Sequence, residues 1–289
     1  PGGITANELS LQLSGQFTYA LTRYNPNGST FIQFNAINTL DGNPTYIENG
    51  AGVKLDTNVQ IFDAELNAAD NYAGAMLTLA RHGGPNSDDA IAFDGLTVTV
   101  SGPNVYVSGV QVGTYTFTGG QMDITFGANA TQARINTLMQ NIGYWNWSEN
   151  PPATVQIDWT FSDGNTGTQG SGGALQATGS TIVNITSAND APSSADKTIT
   201  TNEDTAYTFT ASDFGFTDTN DSPANSLLGV KISTLPGAGS LTLNGVAVTT
   251  GQSISVANIN SGLLVFTPAA NANGTGYASF TFQVQDNGG

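Results

Sequence analysis

The sequence predicts an all-β chain built from tandem β-sandwich domains, and three observations carry that expectation. Apolar and polar residues alternate with period two in segment after segment. Asn-Gly, Asp-Gly and Gly-Gly dipeptides punctuate those segments at spacings near ten residues. The pattern then repeats within the chain.

The alternation is clearest over residues 154–161, where Val155, Ile157, Trp159 and Phe161 share one face and Gln156, Asp158 and Thr160 the other. Residues 278–284 repeat it with Phe280, Phe282 and Val284. Leu96, Val98 and Val100 alternate with polar neighbours, as do Met122, Ile124 and Phe126. Each segment predicts a strand with one buried face. Between them lie Asn27-Gly28, Asp94-Gly95, Gly119-Gly120, Asp163-Gly164 and Asn244-Gly245, dipeptides that accept positive φ in tight hairpins. Helix is expected only as one or two turns near residues 131–142 and 256–261. In the first of these, Ile135, Leu138, Met139 and Ile142 form a single apolar stripe.

Two stretches of the chain superimpose in order. Residues 96–163 and 241–286 each run from a hairpin to a short helix or loop, an apolar strand and a Pro-containing loop, and then an aromatic strand ending in Asp. A second match sets the phase: Ser29-Thr30-Phe31-Ile32-Gln33-Phe34 parallels Ser180-Thr181-Ile182-Val183-Asn184-Ile185. Residues 1–40 therefore read as the terminal strands of a preceding repeat and a donor strand for assembly. Residues 41–190 read as one full sandwich domain, and residues 191–289 as a second that lacks its last strand. The opening Pro1-Gly2-Gly3 and the ending Asp286-Asn287-Gly288-Gly289 read as those of an excised or processed piece.

Composition narrows the function. Of the 289 residues, 22 are acidic and 6 basic, a formal charge of −16 that repels phosphate backbones and anionic membranes. Nucleic acid is accordingly not an expected partner. No apolar run reaches the roughly 18 residues that a spanning helix needs, so membrane insertion is not expected either. There is no cysteine, which removes disulfides and thiolate metal sites and leaves oxygen ligation. The single histidine, His82, excludes multi-histidine zinc sites and argues against a Ser-His-Asp relay, and it reads as a loop residue. The sequence Gly167 to Gly173 lacks the Lys-Ser/Thr of a phosphate loop. Asp218-x-Asn220-x-Ser222 opens like a helix-loop-helix calcium loop, but Pro223 stands where that loop needs Gly. The acidic residues gather at turns and not in facing pairs, so no enzymatic activity is expected.

Those acidic residues cluster in the loops that bound the repeats: Asp41, Glu48, Asp63 and Glu65; Asp163, Asn189 and Asp190; Glu203, Asp204, Asp218, Asn220 and Asp221; and Asp286. Converging loops of this kind can supply the six to eight or so oxygens that calcium takes. The competing account is that Asp and Asn serve turns by capping local backbone groups.

Asn189-Asp190-Ala191-Pro192, Thr201-Asn202-Glu203-Asp204-Thr205, the run from Phe214 to Asp221 and the run from Phe280 to Asp286 resemble the junctions of bacterial cadherin-like and Ig-like tandem repeats. The resemblance implies large secreted surface adhesins, an extracellular or cell-surface location, and calcium between domains. It places the calcium ligands on Glu48, Asn189, Asp190, Asp218, Asn220 and Asp286, and for the boundary near residue 41 on Asp41, Asp63, Glu65 and Asp163. The linker here begins Thr186-Ser187-Ala188, without the first acidic ligand of the animal cadherin pattern, and no Asp-Arg-Glu triplet occurs. The implied role is a structural or adhesive repeat segment whose partners are neighbouring repeats or identical subunits joined head to tail. The alternative is a carbohydrate- or protein-binding module. For a surface or glycan ligand the residues to watch are Trp147 and Tyr144, with Trp159 assigned to the core and Trp145 sharing a face with Trp147.

Overall fold

A computed structural model describes residues 10–11, 39–165 and 174–288. The expected strand over residues 29–35 and the small-residue loop 167–173 lie outside them. Of the described residues 39 % are strand and 9 % helix. The chain divides between Thr186 and Ser187 into two units, each a sandwich with its own core.

In the first unit an eight-stranded sheet runs in the order Thr45–Ile47, Gln176–Thr186, Thr154–Ser162, Met76–Arg81, Gln121–Phe126, Val110–Thr118, Asn104–Val107, Val98–Ser101. A three-stranded sheet, Val53–Lys54, Ile142–Asn146 and Asp89–Phe93, faces it. Thr154–Ser162 buries Val155, Ile157, Trp159 and Phe161 as its alternation predicts, and Trp159 Nε1 donates to Thr181 Oγ1 at 3.1 Å. Ser10–Leu11 pairs antiparallel with Ile61–Phe62.

The helix Gln132–Met139 buries Ile135, Leu138 and Met139, and Thr131 caps it by accepting from the Arg134 amide. A second helix, Ala64–Ala69, was not expected from the pattern. Its N-cap is Asp63, whose carboxylate accepts from the amides of Glu65 and Leu66 at 2.9 and 2.8 Å. The expected apolar face of Leu96, Val98 and Val100 forms only in part. Val98 is buried, but Leu96 and Val100 are exposed. Leu96 belongs to a turn gathered by Asp94, which accepts from the amides of Leu96, Thr97 and Val98, and Val100 lies on the edge strand of the sheet.

The second unit pairs a four-stranded sheet (Tyr207–Thr208, Leu264–Thr267, Ser240–Leu243, Val246–Ala247) with a three-stranded one (Ser253–Ser255, Leu227–Ile232, Phe282–Asp286). Asn244 and Gly245 turn the hairpin with φ of 50° and 76°, the two positive values that a tight two-residue turn requires. Phe209, Phe214, Val230, Ile232, Leu241, Ile254, Ile259 and Leu264 fill the core. Ser255 caps the short helix Val256–Asn260.

The two units share a topology. Ile142–Asn146 lies between Val53–Lys54 and Asp89–Phe93, and Leu264–Thr267 lies between Tyr207–Thr208 and Ser240–Leu243. Thr154–Ser162 pairs with Met76–Arg81, and Phe282–Asp286 pairs with Leu227–Ile232. The sequence repeat starts its hairpin at Leu96, but the spatial counterpart of Ser240–Leu243 is Asp89–Phe93, and Val98–Ser101 lies instead at the edge of the eight-stranded sheet.

Candidate cation site at one end of the second unit

Three chain segments meet here: the lead-in of Asn189 and Asp190, the loop that follows the Ser193–Thr217 bridge, and the end of the strand Phe282–Asp286. The Asp190 amide donates to Asp221 Oδ1 at 3.2 Å. Asn189 Nδ2 donates to Asp286 Oδ1 at 3.2 Å. Asn225 Nδ2 donates to both Asn189 Oδ1 and Asp221 Oδ2, at 2.6 and 2.9 Å. The Asp286-Asn287-Gly288 ending closes the group: Asp286 accepts from the Gly288 amide, and Asn287 accepts from the Ser226 amide. A Cβ on Gly288 would stand 1.6 Å from Asn189 Oδ1, so a side chain there would displace the Asn189 and Asn225 amides.

Asp218 lies within this frame with no donor of its own. It is 9 % exposed, and both its carboxylate oxygens are buried without a hydrogen-bond donor. Burial, followed by the charges of Asp221, Asp286 and Asp190, pushes its pKa up. Asp218 and Asp221 are both acceptors when ionised, so they can share a hydrogen bond only if one carries a proton. Asp221 and Asp286 are themselves buried, at 5 and 6 % exposed. Arg81, His82 and Lys197 pair with carboxylates elsewhere, on Asp89, Asp158 and Asp213. The site is a set of buried anionic and amide oxygens in which the fold leaves one carboxylate unsatisfied. That donor chemistry fits a hard, oxygen-preferring cation such as calcium.

Of the residues the sequence pointed to, Asn189, Asp190, Asp218 and Asp286 come together here. Asn220 is exposed, and its amide oxygen accepts from the hydroxyl of its neighbour Thr219. Asp221 was noted among the loop acids but not as a ligand; its spacing of three from Asp218 was the available signal.

The expected ligands of the first unit are placed differently. Glu48 is buried, and its carboxylate lies within 4.8 Å of that of Glu149, a partner the sequence did not suggest. Asp41 is exposed, and its amide donates to Asp56, the buried residue that organises this loop by also accepting from Gly42, Asn58 and Val59. Asp63 caps a helix whose first turn holds Glu65, and Asp163 accepts from the amides of Asn165 and Leu175. Local backbone donors account for Asp63 and Asp163, as the turn reading predicts.

Tyr144 is fully buried, Trp145 is half-buried over Gly52, and Trp147 is 68 % exposed. Asn146, between the two tryptophans, points inward and donates to Asp89 and Tyr144. Tyr144 and Trp147 therefore form no shared aromatic platform. Replacing Trp147 with Ala is expected to change the melting free energy of the first unit by less than about 0.5 kcal/mol, measured by urea unfolding.

Residues 189–289 match the family model of the bacterial Ig domain. The second unit, with its two facing sheets, carries that match, and the chain as a whole is a tandem of Ig-like β-sandwiches. No curated protein matches the chain. Among solved structures it is similar to the T6 backbone pilin of serotype M6 Streptococcus pyogenes, with 10 % identity over 75 % of this chain and a TM-score of 0.24. The chain spans 59 % of that pilin's length, and a likeness this slight bears on neither fold nor function. Among the described residues no helix is long and apolar enough to cross a membrane.

Proposed function

We propose that this chain is a structural repeat segment of an extracellular bacterial surface protein, in which Asn189, Asp190, Asp218, Asp221 and Asp286 hold calcium and stiffen the start of the second Ig-like unit. The repeats serve to extend and assemble a surface structure, with no catalytic role. The observation that carries the calcium part is Asp218, a buried carboxylate with no donor among three other acids. The bacterial Ig match supports the repeat and surface parts. Calcium would supply the positive charge that the fold omits at this point.

Calorimetric titration of the chelated full-length protein tests it. Calcium is expected to bind, with magnesium much weaker because its small octahedral shell suits flexible carboxylate loops poorly. Asp218→Asn and Asp286→Asn should each weaken calcium at least tenfold, whereas Asp63→Asn, in a helix cap of the first unit, should leave it unchanged. Absence of calcium binding, or equal binding in Asp218→Asn, would sink the calcium reading.

A further inference from the structure

The outer face of the three-stranded sheet in the first unit is made of residues with little or no side chain, apart from two tryptophans. Along Ile142–Asn146, Gly143 lies opposite Ala92 on one side and Lys54 on the other, and Trp145 lies opposite Ala90. Tyr144 and Asn146 are buried on the inner side, so alternation turns Trp145 outward. The Trp147 amide donates to the Asp88 carbonyl at 2.7 Å, which carries the ladder one step past the strand. Trp147 therefore stands on the same outward side as Trp145, about 7 Å further along, with Asp88 as its cross-strand neighbour.

The Trp145 indole lies flat on this face. A Cβ added to Gly52 would stand 1.9 Å from Cε2 and almost equally far, 2.3 and 2.4 Å, from Cζ2 and Nε1, the ring atoms bonded to Cε2 on either side. A point so placed is directly over Cε2 along the ring normal, so the Gly52 backbone packs against one face of the indole. The far end of the ring reaches toward Gly143, with Cη2 3.3 Å from where that Cβ would be. On the other side Ala90 and Ala92 end at a methyl group and cannot reach across the outer face of the ring. Trp159 Nε1 donates to Thr181, whereas Trp145 Nε1 has no hydrogen-bond partner among the described residues. Trp147, two residues on, is mostly in solvent. Aromatic surface left uncovered in this way, with a polar handle, is characteristic of a binding face.

We infer that Trp145 and Trp147 form a sugar-stacking platform for a neutral, β-1,4-linked hexose chain. A pyranose ring with equatorial hydroxyls presents a flat face of axial C–H groups, which packs on the electron-rich face of an indole. The Trp145 Nε1–H and the Asp88 carboxylate beside Trp147 offer a donor and an acceptor at the rim for the sugar hydroxyls. Neutrality follows from charge. Asp88 stands on this face, Lys54 is engaged by Asn141 Oδ1 at 2.5 Å, and the chain carries −16, so a sugar acid would be repelled. Chain length follows from spacing, because two indoles about 7 Å apart along a strand meet successive rings of a flat chain and not one ring alone. The platform lies within the first unit and depends on neither calcium nor the second unit.

Titration of the full chain with cellohexaose and with mannohexaose, in chelator, tests the platform. Trp159 is fully buried, so a change in tryptophan emission reports Trp145 and Trp147. At least one of the two hexaoses should shift the emission saturably and give the same dissociation constant by calorimetry. Glucose and mannose should bind much more weakly, and a galacturonic acid hexamer should not bind. Trp147→Ala, which leaves the stability nearly unchanged, should weaken the hexaose roughly tenfold, the loss of one stacked ring. Ala90→Gln keeps both tryptophans but sets a longer side chain beside the outer face of Trp145, and it should weaken binding to a similar degree. Neither heat nor an emission change with either hexaose overturns the proposal, and so does binding that both variants leave at the unmodified affinity. Dimers that Trp147→Ala abolishes, with no sugar bound, would make this face an interface between copies and overturn it equally.

Discussion

In calcium-free buffer at neutral pH the Asp218→Asn variant should melt above the unmodified protein in its second unit, and in calcium it should melt below it. The sign reverses because the same carboxylate is a liability without the cation and a ligand with it. In the metal-free fold, burial and the neighbouring acids hold the Asp218 pKa above its ordinary value of 3.8. A raised carboxylate favours the folded state fully below its unfolded value, and that contribution is lost as pH rises through the folded value. At neutral pH the metal-free fold therefore carries the whole penalty of the buried charge, and Asn, of the same shape, removes it. Metal-free protein should accordingly gain second-unit stability on mild acidification, and Asp218→Asn should flatten that gain. With calcium at about 100 times its dissociation constant, mass action adds about 2.7 kcal/mol to the folded state. For a domain of this size that is a rise on the order of 10–20 °C. All three tryptophans, Trp145, Trp147 and Trp159, lie in the first unit, so a calorimetric transition that shifts while tryptophan fluorescence does not belongs to the second. A variant that melts lower in both buffers would show Asp218 to be an ordinary structural residue.

What could be read from the sequence followed periodicity. Residues 154–161 and the Asn244-Gly245 hairpin each carry their own signal within a few residues and form where expected, and the helix stripe holds for Ile135, Leu138 and Met139 while Ile142 opens the strand that follows. The acidic residues behave differently, because one side chain does two jobs that look alike in sequence. Asp63 and Asp218 both stand in polar loops, but Asp63 is satisfied by two amides of its own helix and Asp218 by no donor. Only the arrangement in space separates the cap from the carboxylate left without a donor. Burial of Asn146 escaped for a related reason. Alternation places it opposite Trp145 and Trp147, and the carboxylate that its side-chain amide donates to, Asp89, is 57 residues away in the chain.

Asp89 is the centre of a buried hydrogen-bond network in the first unit. Asp89 is 1 % exposed. Arg81 approaches it with two parallel hydrogen bonds, Nε to Oδ2 at 2.7 Å and Nη2 to Oδ1 at 2.6 Å. Tyr144 Oη donates to Oδ1 at 2.6 Å and Asn146 Nδ2 at 3.0 Å. One carboxylate thus satisfies the phenol and amide of the adjacent strand in its own sheet and the guanidinium of Arg81 from the facing sheet. Asp89→Ala leaves all three donors behind, and breaking a buried pair from one side costs about 3–5 kcal/mol. The Arg81 side chain keeps 21 % of its surface in water, so hydration recovers some of that, and about 3 kcal/mol is expected. Tryptophan fluorescence should record it as a fall on the order of 10 °C in the first unit's melting temperature. The Arg81→Met, Asp89→Leu double variant should recover much of the loss, because it removes the stranded charge along with its partner. Tyr144 adds a pH signature. Burial first, and then its bond to Asp89, raise its pKa well above the usual value of 10.0. Its stabilisation is therefore complete below pH 10.0 and fades as pH climbs through the raised value, so in alkali the unmodified first unit should lose more stability, relative to its own neutral-pH value, than Tyr144→Phe, which has no phenol to ionise. An Asp89→Ala variant within about 1 kcal/mol of the unmodified protein would show that water had replaced the carboxylate, and that the network does not hold the two sheets together.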